Sequence, residues 1–324
     1  MTRPVAPRIV VSRRLPEPAL ELLHAAGDVW VSPHDRPMDT RELHAAVAGA
    51  DAVVTLLHDR VDDAFLDAAG PTLRVVANVA VGYDNIDVAA CARRGVACTN
   101  TPGVLVDATA DIAMALILAS TRRMGEAERM IRAGGTWSWS MFFMLGTGLQ
   151  GKTLGIVGLG QIGTATARRA RAFGMRIAYT GRRRADAALE AELDAVPLEL
   201  DELLCAAHVV SIHCPLNDAT RHLIDARRLR LMQPTAHLVN TSRGPVVDEA
   251  ALAQALRDGT IAGAGLDVFE HEPAIDPGLL ELENVVVLPH LGSATIETRT
   301  AMGVLAARNA VAVLAGEAPL TPIG

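Results

Sequence analysis

The chain is expected to be an α/β protein made of two doubly wound domains, each a parallel sheet covered by helices. Two observations predict this. Short apolar runs alternate with helix-like segments from one end to the other, which is the pattern of parallel sheets with helices on both faces. A length of 324 residues, half of them apolar, also exceeds what one hydrophobic core usually serves.

The strand-like runs are, in order, Arg8 to Val11, Ala52 to Leu56, Arg74 to Ala77, Leu154 to Val157, Arg176 to Tyr179, Val209 to Ile212, Ala236 to Asn240, Gly263 to Val268 and Val285 to Leu288. Asp107 to Thr121 is a long helical pattern, and Gly134, Gly135, Gly146, Gly148 and Gly151 break the chain between it and the next strand. The last helical pattern, Ala294 to Leu314, has no strand of its own and is expected to pack back onto the first domain. A discontinuous smaller domain, 1–103 with 292–324, and a larger one, 104–291, follow from that placement. The alternative is two consecutive domains with a C-terminal appendage.

Net charge excludes some function classes. At -7 it offers no overall attraction for nucleic acid or anionic lipid. Ile112 to Ser120 is the most apolar stretch, and it falls short of the roughly 20 residues a bilayer span needs. The N-terminal segment Met1 to Val11 lacks the apolar core of a signal peptide. Cys91, Cys98, Cys205 and Cys214 show no metal-type or C-x-x-C spacing and are expected to be buried small hydrophobes, which fits a reducing cytoplasm.

The strongest motif is Gly158-Leu159-Gly160-Gln161-Ile162-Gly163. A buried-strand pattern, Thr153 to Val157, runs directly into it, and a helix pattern, Thr164 to Phe173, leaves it and is closed by Gly174. This is the dinucleotide fingerprint in the setting it requires, and it makes the larger domain Rossmann-type. Gly158 permits the tight turn, Gly160 lets backbone approach a pyrophosphate, and Gly163 lets helix and strand pack closely. The second strand then ends in Gly181-Arg182-Arg183-Arg184, with no acid before Asp186. An acid there would bond the ribose 2′-hydroxyl of NAD(H), whereas guanidinium groups accommodate a 2′-phosphate. NADP(H) is therefore the expected cofactor, with Arg182 and Arg183 as its contacts and NAD(H) as the alternative.

Three later segments each end an apolar run with polar groups, where an open parallel sheet places its ligand-facing residues. They are Asn240-Thr241-Ser242-Arg243-Gly244, then Gly265-Leu266-Asp267-Val268-Phe269-Glu270-His271-Glu272-Pro273, then Pro289-His290-Leu291-Gly292-Ser293-Ala294. Placed in this order after the glycine motif, and joined by Asn78 to Asp87 and Asn100 to Gly103 upstream, they resemble the D-2-hydroxyacid dehydrogenases. The resemblance covers nearly the whole chain. It is closest to the glyoxylate/hydroxypyruvate reductases, with 2-ketogluconate reductases alongside.

The resemblance implies a smaller flavodoxin-like substrate domain. It implies that Arg243 holds the substrate carboxylate and polarises the 2-oxo group, that His290 is the acid/base, and that Glu272 is its partner. It further implies substrate contacts from Leu57, Val81 and Gly82, and cofactor contacts from Thr109, Cys214, Pro215, Thr241, Arg243, Asp267, His290, Gly292 and Ser293. For Asp267 the residues leave a second role open, bracing the turn that follows. The chemistry wants these types independently. Hydride delivered to a ketone carbon leaves charge on oxygen, which a guanidinium stabilises and an imidazolium neutralises.

Aromatics are 3% of the chain, yet Trp137, Trp139, Phe142 and Phe143 fall within seven residues. Such a cluster suggests an interface or a pocket wall. In the glyoxylate/hydroxypyruvate reductases the tryptophan matching Trp139 reaches the partner's active site, so a homodimer is implied. Formate enzymes of the family carry glutamine where Glu272 stands, which sets them aside. Three readings remain beside a short 2-oxo acid reductase: a sugar-acid reductase, another D-2-hydroxyacid dehydrogenase, and a non-catalytic NAD(P)-sensing protein of the same fold. No metal is expected.

Overall fold

A computed structural model describes residues 6–324. The part of the Met1 to Val11 segment before Ala6 lies outside the described residues. The chain divides into two compact units, one running to Leu105 and including Thr295–Gly324, the other Val106–Ala294.

The first unit contains β1 (Arg8–Val11), α1 (Glu17–Ala26), β2 (Asp28–Val31), α2 (Thr40–Val47), β3 (Ala52–Thr55), α3 (Asp63–Ala69), β4 (Val75–Asn78), α4 (Val88–Arg93) and β5 (Ala97–Thr99). Its strands are all parallel, in the order β2-β1-β3-β4-β5. Burial on both sheet faces explains the unbroken apolar runs. Val10, Val53 and Val76 point into one core with Leu43, Val47 and Phe65. Their neighbours Ile9, Val11, Val54 and Ala77 point into the opposite core with Leu20 and Leu23.

The second unit begins with α5 (Val106–Thr121) and α6 (Met124–Arg132), followed by β6 (Thr153–Val157), α7 (Gln161–Ala172), β7 (Arg176–Thr180), α8 (Ala187–Leu193), β8 (Ala195–Pro197), α9 (Leu200–Ala206) and β9 (Val209–Ile212). It continues with α10 (Ala226–Leu229), β10 (His237–Asn240), α11 (Glu249–Arg257), β11 (Gly263–Leu266), α12 (Pro277–Leu280) and β12 (Val285–Val287). The sheet order is β12-β11-β10-β9-β6-β7-β8, all parallel. The chain reverses direction across the sheet between β6 and β9. In an open α/β sheet the crevice at the carboxyl ends of such a strand pair is where ligands bind.

The last helix, α13 (Ile296–Leu314), belongs to the first unit. Ala306, Ala307 and Ala310 join the core that holds Leu20 and Leu23. A Cβ on Gly303 would come within 3.2 Å of Ala19 and 3.3 Å of Pro16, so α13 and α1 meet at nearly backbone distance. Buried Asn309 ties the tail down, donating to Thr321 Oγ1 at 2.8 Å and accepting from the Thr321 amide at 3.0 Å.

The α/β class with parallel sheets is as expected, and three strands, β2, β5 and β8, are additions. All three are sheet edges. Edge strands are short and half exposed, so they lack the continuous apolar signature of a central strand. Among the described residues no helix is long and apolar enough to cross a membrane. Two cysteines depart from expectation: Cys91 and Cys98 are buried, but Cys205 is exposed and Cys214 only partly covered.

Candidate active site

The site is built from the carboxyl ends of neighbouring strands in the second unit. At the end of β10, Asn240 folds its side chain over the next turn: Oδ1 accepts the Ser242 amide at 3.0 Å and Nδ2 donates to the Arg243 carbonyl at 2.9 Å. An asparagine that mimics a backbone turn in this way presents the residue that follows in one conformation. Arg243 is extended (φ -143°) and donates from one guanidinium nitrogen to the Ser242 carbonyl at 2.9 Å. Gly244 then lies against the neighbouring strand's exit. A Cβ there would sit 1.8 Å from the Phe269 carbonyl carbon, so only glycine lets the two backbones touch.

At the end of β11, Asp267 is fully buried and acts as a hub. Its carboxylate accepts the Leu291 amide at 2.6 Å and the Gly292 amide at 2.7 Å, and its carbonyl accepts the His290 amide at 2.9 Å. Burial raises its pKa against the opposing pull of the two amide donors. A carboxylate so placed braces the loop that leaves β12. That loop carries His290, whose φ of +56° is left-handed. That conformation costs a non-glycine residue on the order of 1 kcal/mol or more, and it persists where surrounding bonds over-determine it.

His290 so placed puts Nδ1 2.9 Å from Glu272 Oε2. The other carboxylate oxygen, Oε1, accepts the Phe269 amide at 3.0 Å. The imidazole is therefore oriented by a carboxylate that is itself anchored, and Nε2 has no protein partner among the described residues. Both side chains keep some exposure, 28% for His290 and 18% for Glu272.

The glycine motif provides a cradle beside them. Gly158 is left-handed at φ +99°, and a Cβ on it would come within 2.7 Å of the Cys214 amide nitrogen at the exit of β9. A Cβ on Gly163 would meet the Gly158 carbonyl oxygen at 2.4 Å. At Gly160, by contrast, a Cβ would meet nothing within 4 Å. Two glycines thus close the turn and the third opens it, at the N-terminus of α7, where no side chain caps the free amides. This is a fitting seat for a diphosphate. Thr241 Oγ1, buried and unpartnered, and Thr109, which bonds the Gly292 carbonyl at 3.1 Å, lie on the same unit. Ser242 Oγ donates to the Cys214 carbonyl. Gly158, Cys214, Ser242, Gly244 and Phe269 thus form one chain of contacts across the sheet edge.

Past the end of β7, Arg184 is held by Glu190 at 2.9 Å, while Arg182 and Arg183 are exposed and carry no ion pair among the described residues. Asp186 is spent as the cap of α8, accepting the Leu189 amide at 2.7 Å. Trp139 is 76% exposed and Phe142 86%, and Trp137 stacks on Phe143 with ring centroids 6.4 Å apart. In the first unit, Leu57 follows β3, and the Val81–Gly82 turn follows β4, its carbonyls bonded by Asn100 at 2.8 Å and Asn78 at 3.2 Å.

The other histidines have different company. His208 accepts the Thr153 amide, His213 bonds Ser211, and His271 is exposed. His222 lies 2.6 Å from Glu270, a second imidazole–carboxylate pair that sequence analysis did not single out. The turn-closing bonds of Asn240 and the loop contacts of Glu249 were missed too. For Asn240 a signal existed, since Asn two residues before Ser commonly closes such a turn. Among the described residues no group of three or more His, Cys, Asp or Glu could hold a metal ion.

A buried fingerprint turn beside an anchored imidazole–carboxylate pair defines a nicotinamide-dinucleotide oxidoreductase, and residues 114–292 match the NAD binding domain of the D-isomer specific 2-hydroxyacid dehydrogenases. The chain belongs to that family. It is similar to proteins named glyoxylate reductase from Thermococcus kodakarensis (48% identical over 97% of this chain and 95% of the relative) and Aeropyrum pernix (49%, over 97% and 94%). Among solved structures it is similar to an NADPH-dependent glyoxylate/hydroxypyruvate reductase from Sinorhizobium meliloti in complex with NADP and malonate, at TM-score 0.85, 35% identity, and 98% and 97% coverage. A glyoxylate reductase from Paecilomyes thermophila is similar at TM-score 0.89, 33% identity, and 99% coverage of each chain.

Proposed function

We propose that this enzyme reduces glyoxylate, hydroxypyruvate or a related short 2-oxo acid to the 2-hydroxy acid, of D configuration where chiral, with NADPH as its preferred reductant. The observation that carries the reading is the 2.9 Å contact between His290 Nδ1 and Glu272. A bound nicotinamide supplies the hydride. The chain's own groups do the rest. Arg243 pairs with the substrate carboxylate and polarises the 2-oxo group, in the bidentate manner a planar guanidinium favours. With Nδ1 turned to Glu272, His290 holds the transferable proton on Nε2 and gives it to the oxygen as negative charge develops there. In the reverse direction the same atom takes it back.

The cofactor assignment rests on Gly158, Gly160, Gln161, Ile162 and Gly163 at the diphosphate, with Pro215, Thr241 and Ser293 flanking. Preference for NADPH rests on Gly181, Arg182 and Arg183. We assign the substrate contacts Leu57, Val81 and Gly82 to the first unit, which makes it the substrate domain and Val106–Ala294 the dinucleotide domain. The exposed aromatic segment around Trp139 supports a homodimer and a second role for this residue as a wall of the partner's site. Cysteines without a disulfide fit a cytoplasmic location.

The test is a panel of 2-oxo acids, including 2-ketogluconate, assayed with NADPH and NADH in parallel. Glyoxylate and hydroxypyruvate should have the highest kcat/KM, and NADPH should exceed NADH. A preference for 2-ketogluconate would move the assignment to a sugar-acid reductase. Tight dinucleotide binding without turnover of any acid would make the chain a sensor.

A further inference from the structure

We infer that Glu249 is a positioning residue for this site: its carboxylate clasps both ends of the loop that carries Glu272 and so sets where Glu272 meets His290. The inference rests on the acid–base reading of that pair given above. Glu249 opens α11, where a first-turn acid is ordinary. The helix does not use it, because Asp248 already caps α11 by accepting the Ala251 amide at 2.9 Å. Glu249 is only 8% exposed, and both its oxygens face the neighbouring loop.

Oε2 accepts the Glu270 amide at 2.6 Å, and Oε1 accepts the Asp276 amide at 2.6 Å. Between these two points the chain turns back on itself, with the Ala274 amide donating to the His271 carbonyl at 2.9 Å. Glu272 sits within that turn. The outer face of the loop is held by His222, 2.6 Å from Glu270 Oε1. A carboxylate suits the clasp because it accepts at both oxygens and donates at neither. An amide in its place would turn an N–H toward one of the two loop N–H groups. Residues that hold a reacting constellation must do so within about half an ångström, which makes a loop anchored at both ends a functional requirement.

The experiment compares wild type, Glu249→Gln, Glu272→Gln and the double variant for kcat and KM with glyoxylate and NADPH, and for NADPH affinity by fluorescence. Glu249→Gln should lower kcat by about 10- to 100-fold, as expected for a misplacement near 1 Å, with KM and NADPH affinity changed little. On the Glu272→Gln background the same substitution should add nothing, because the clasp acts through Glu272. Unchanged kcat in Glu249→Gln, or an equal loss on both backgrounds, overturns the inference. Wild-type kcat in Glu272→Gln would instead remove the acid–base reading and leave the clasp without a catalytic purpose. Should Glu249→Gln fail to fold, hydrogen exchange in the wild-type protein decides: the Glu270 and Asp276 amides should be protected relative to that of Glu272, and fast exchange at both refutes the clasp.

Discussion

Two histidines at opposite edges of the same seven-stranded sheet live in opposite conditions. His290 follows β12 at the carboxyl edge, partly exposed, with one nitrogen on Glu272 and the other without a protein partner among the described residues. His237 opens β10 at the amino edge, 6% exposed, with an unpartnered Nδ1 packed against Gly263. Burial without an opposite charge pushes the His237 pKa down to about 4, so at neutral pH it is an uncharged core residue. An imidazole carries protons only where a partner orients it and water or substrate reaches it. His290 meets both conditions and His237 meets neither.

Breaking the catalytic side of this contrast should have the largest effect. His290→Gln keeps a polar side chain of similar size but has no titratable nitrogen. We expect kcat to fall by about 10²- to 10⁴-fold, the range for losing a general acid, while NADPH affinity stays near wild type. Near-normal turnover would remove His290 from proton transfer.

The other side breaks by acid. A histidine whose folded pKa is depressed to about 4 binds its proton in the unfolded chain first, so folding loses stability as pH falls from about 6.5 toward 4. Integrated over that window the penalty approaches about 3 kcal/mol for His237. His213 bears a similar depression, to about 4. His237→Leu should therefore flatten the decline of the unfolding midpoint between pH 6.5 and 4. Equal acid sensitivity in wild type and His237→Leu would show that His237 does not carry the penalty.

How far the sequence revealed this arrangement differs with the range of the interaction. Central strands such as Val209–Ile212 are legible because both faces are buried and every residue is apolar or small. The edges are not: β2 begins with exposed Asp28, and β8 carries exposed Val196 and Pro197. The candidate residues Arg243, Glu272 and His290 were marked in the sequence because each follows a strand within a few residues, where an open parallel sheet turns side chains toward a ligand. Periodicity cannot report a fully enclosed carboxylate, so the bonds of Asp267 to the Leu291 and Gly292 amides, 24 and 25 residues away, left no local sign. Glu249 carried no signal in the sequence. Its partners lie 21 and 27 residues away, and no local pattern announces a hydrogen bond across that distance.

Three like residues sharpen the lesson at the same carboxyl edge. Arg184 and its neighbours Arg182 and Arg183 are the same residue type in one short loop. Arg184 is bound on two nitrogens by Glu190, whose carboxyl is lowered to about 2 by that guanidinium and by the Tyr179 hydroxyl. Arg182 and Arg183 have no such partner among the described residues, so a 2′-phosphate would meet guanidinium groups that give up no ion pair to bind it. Replacing Arg182→Asp together with Arg183→Ala should lower the NADPH/NADH ratio of kcat/KM by about tenfold or more, the worth of at least one charge-assisted contact. Arg184→Ala should weaken the loop's anchorage and reduce use of both cofactors alike. If the ratio follows Arg184 and ignores the other two, the free guanidinium groups are surface charge and the discrimination lies elsewhere in the loop.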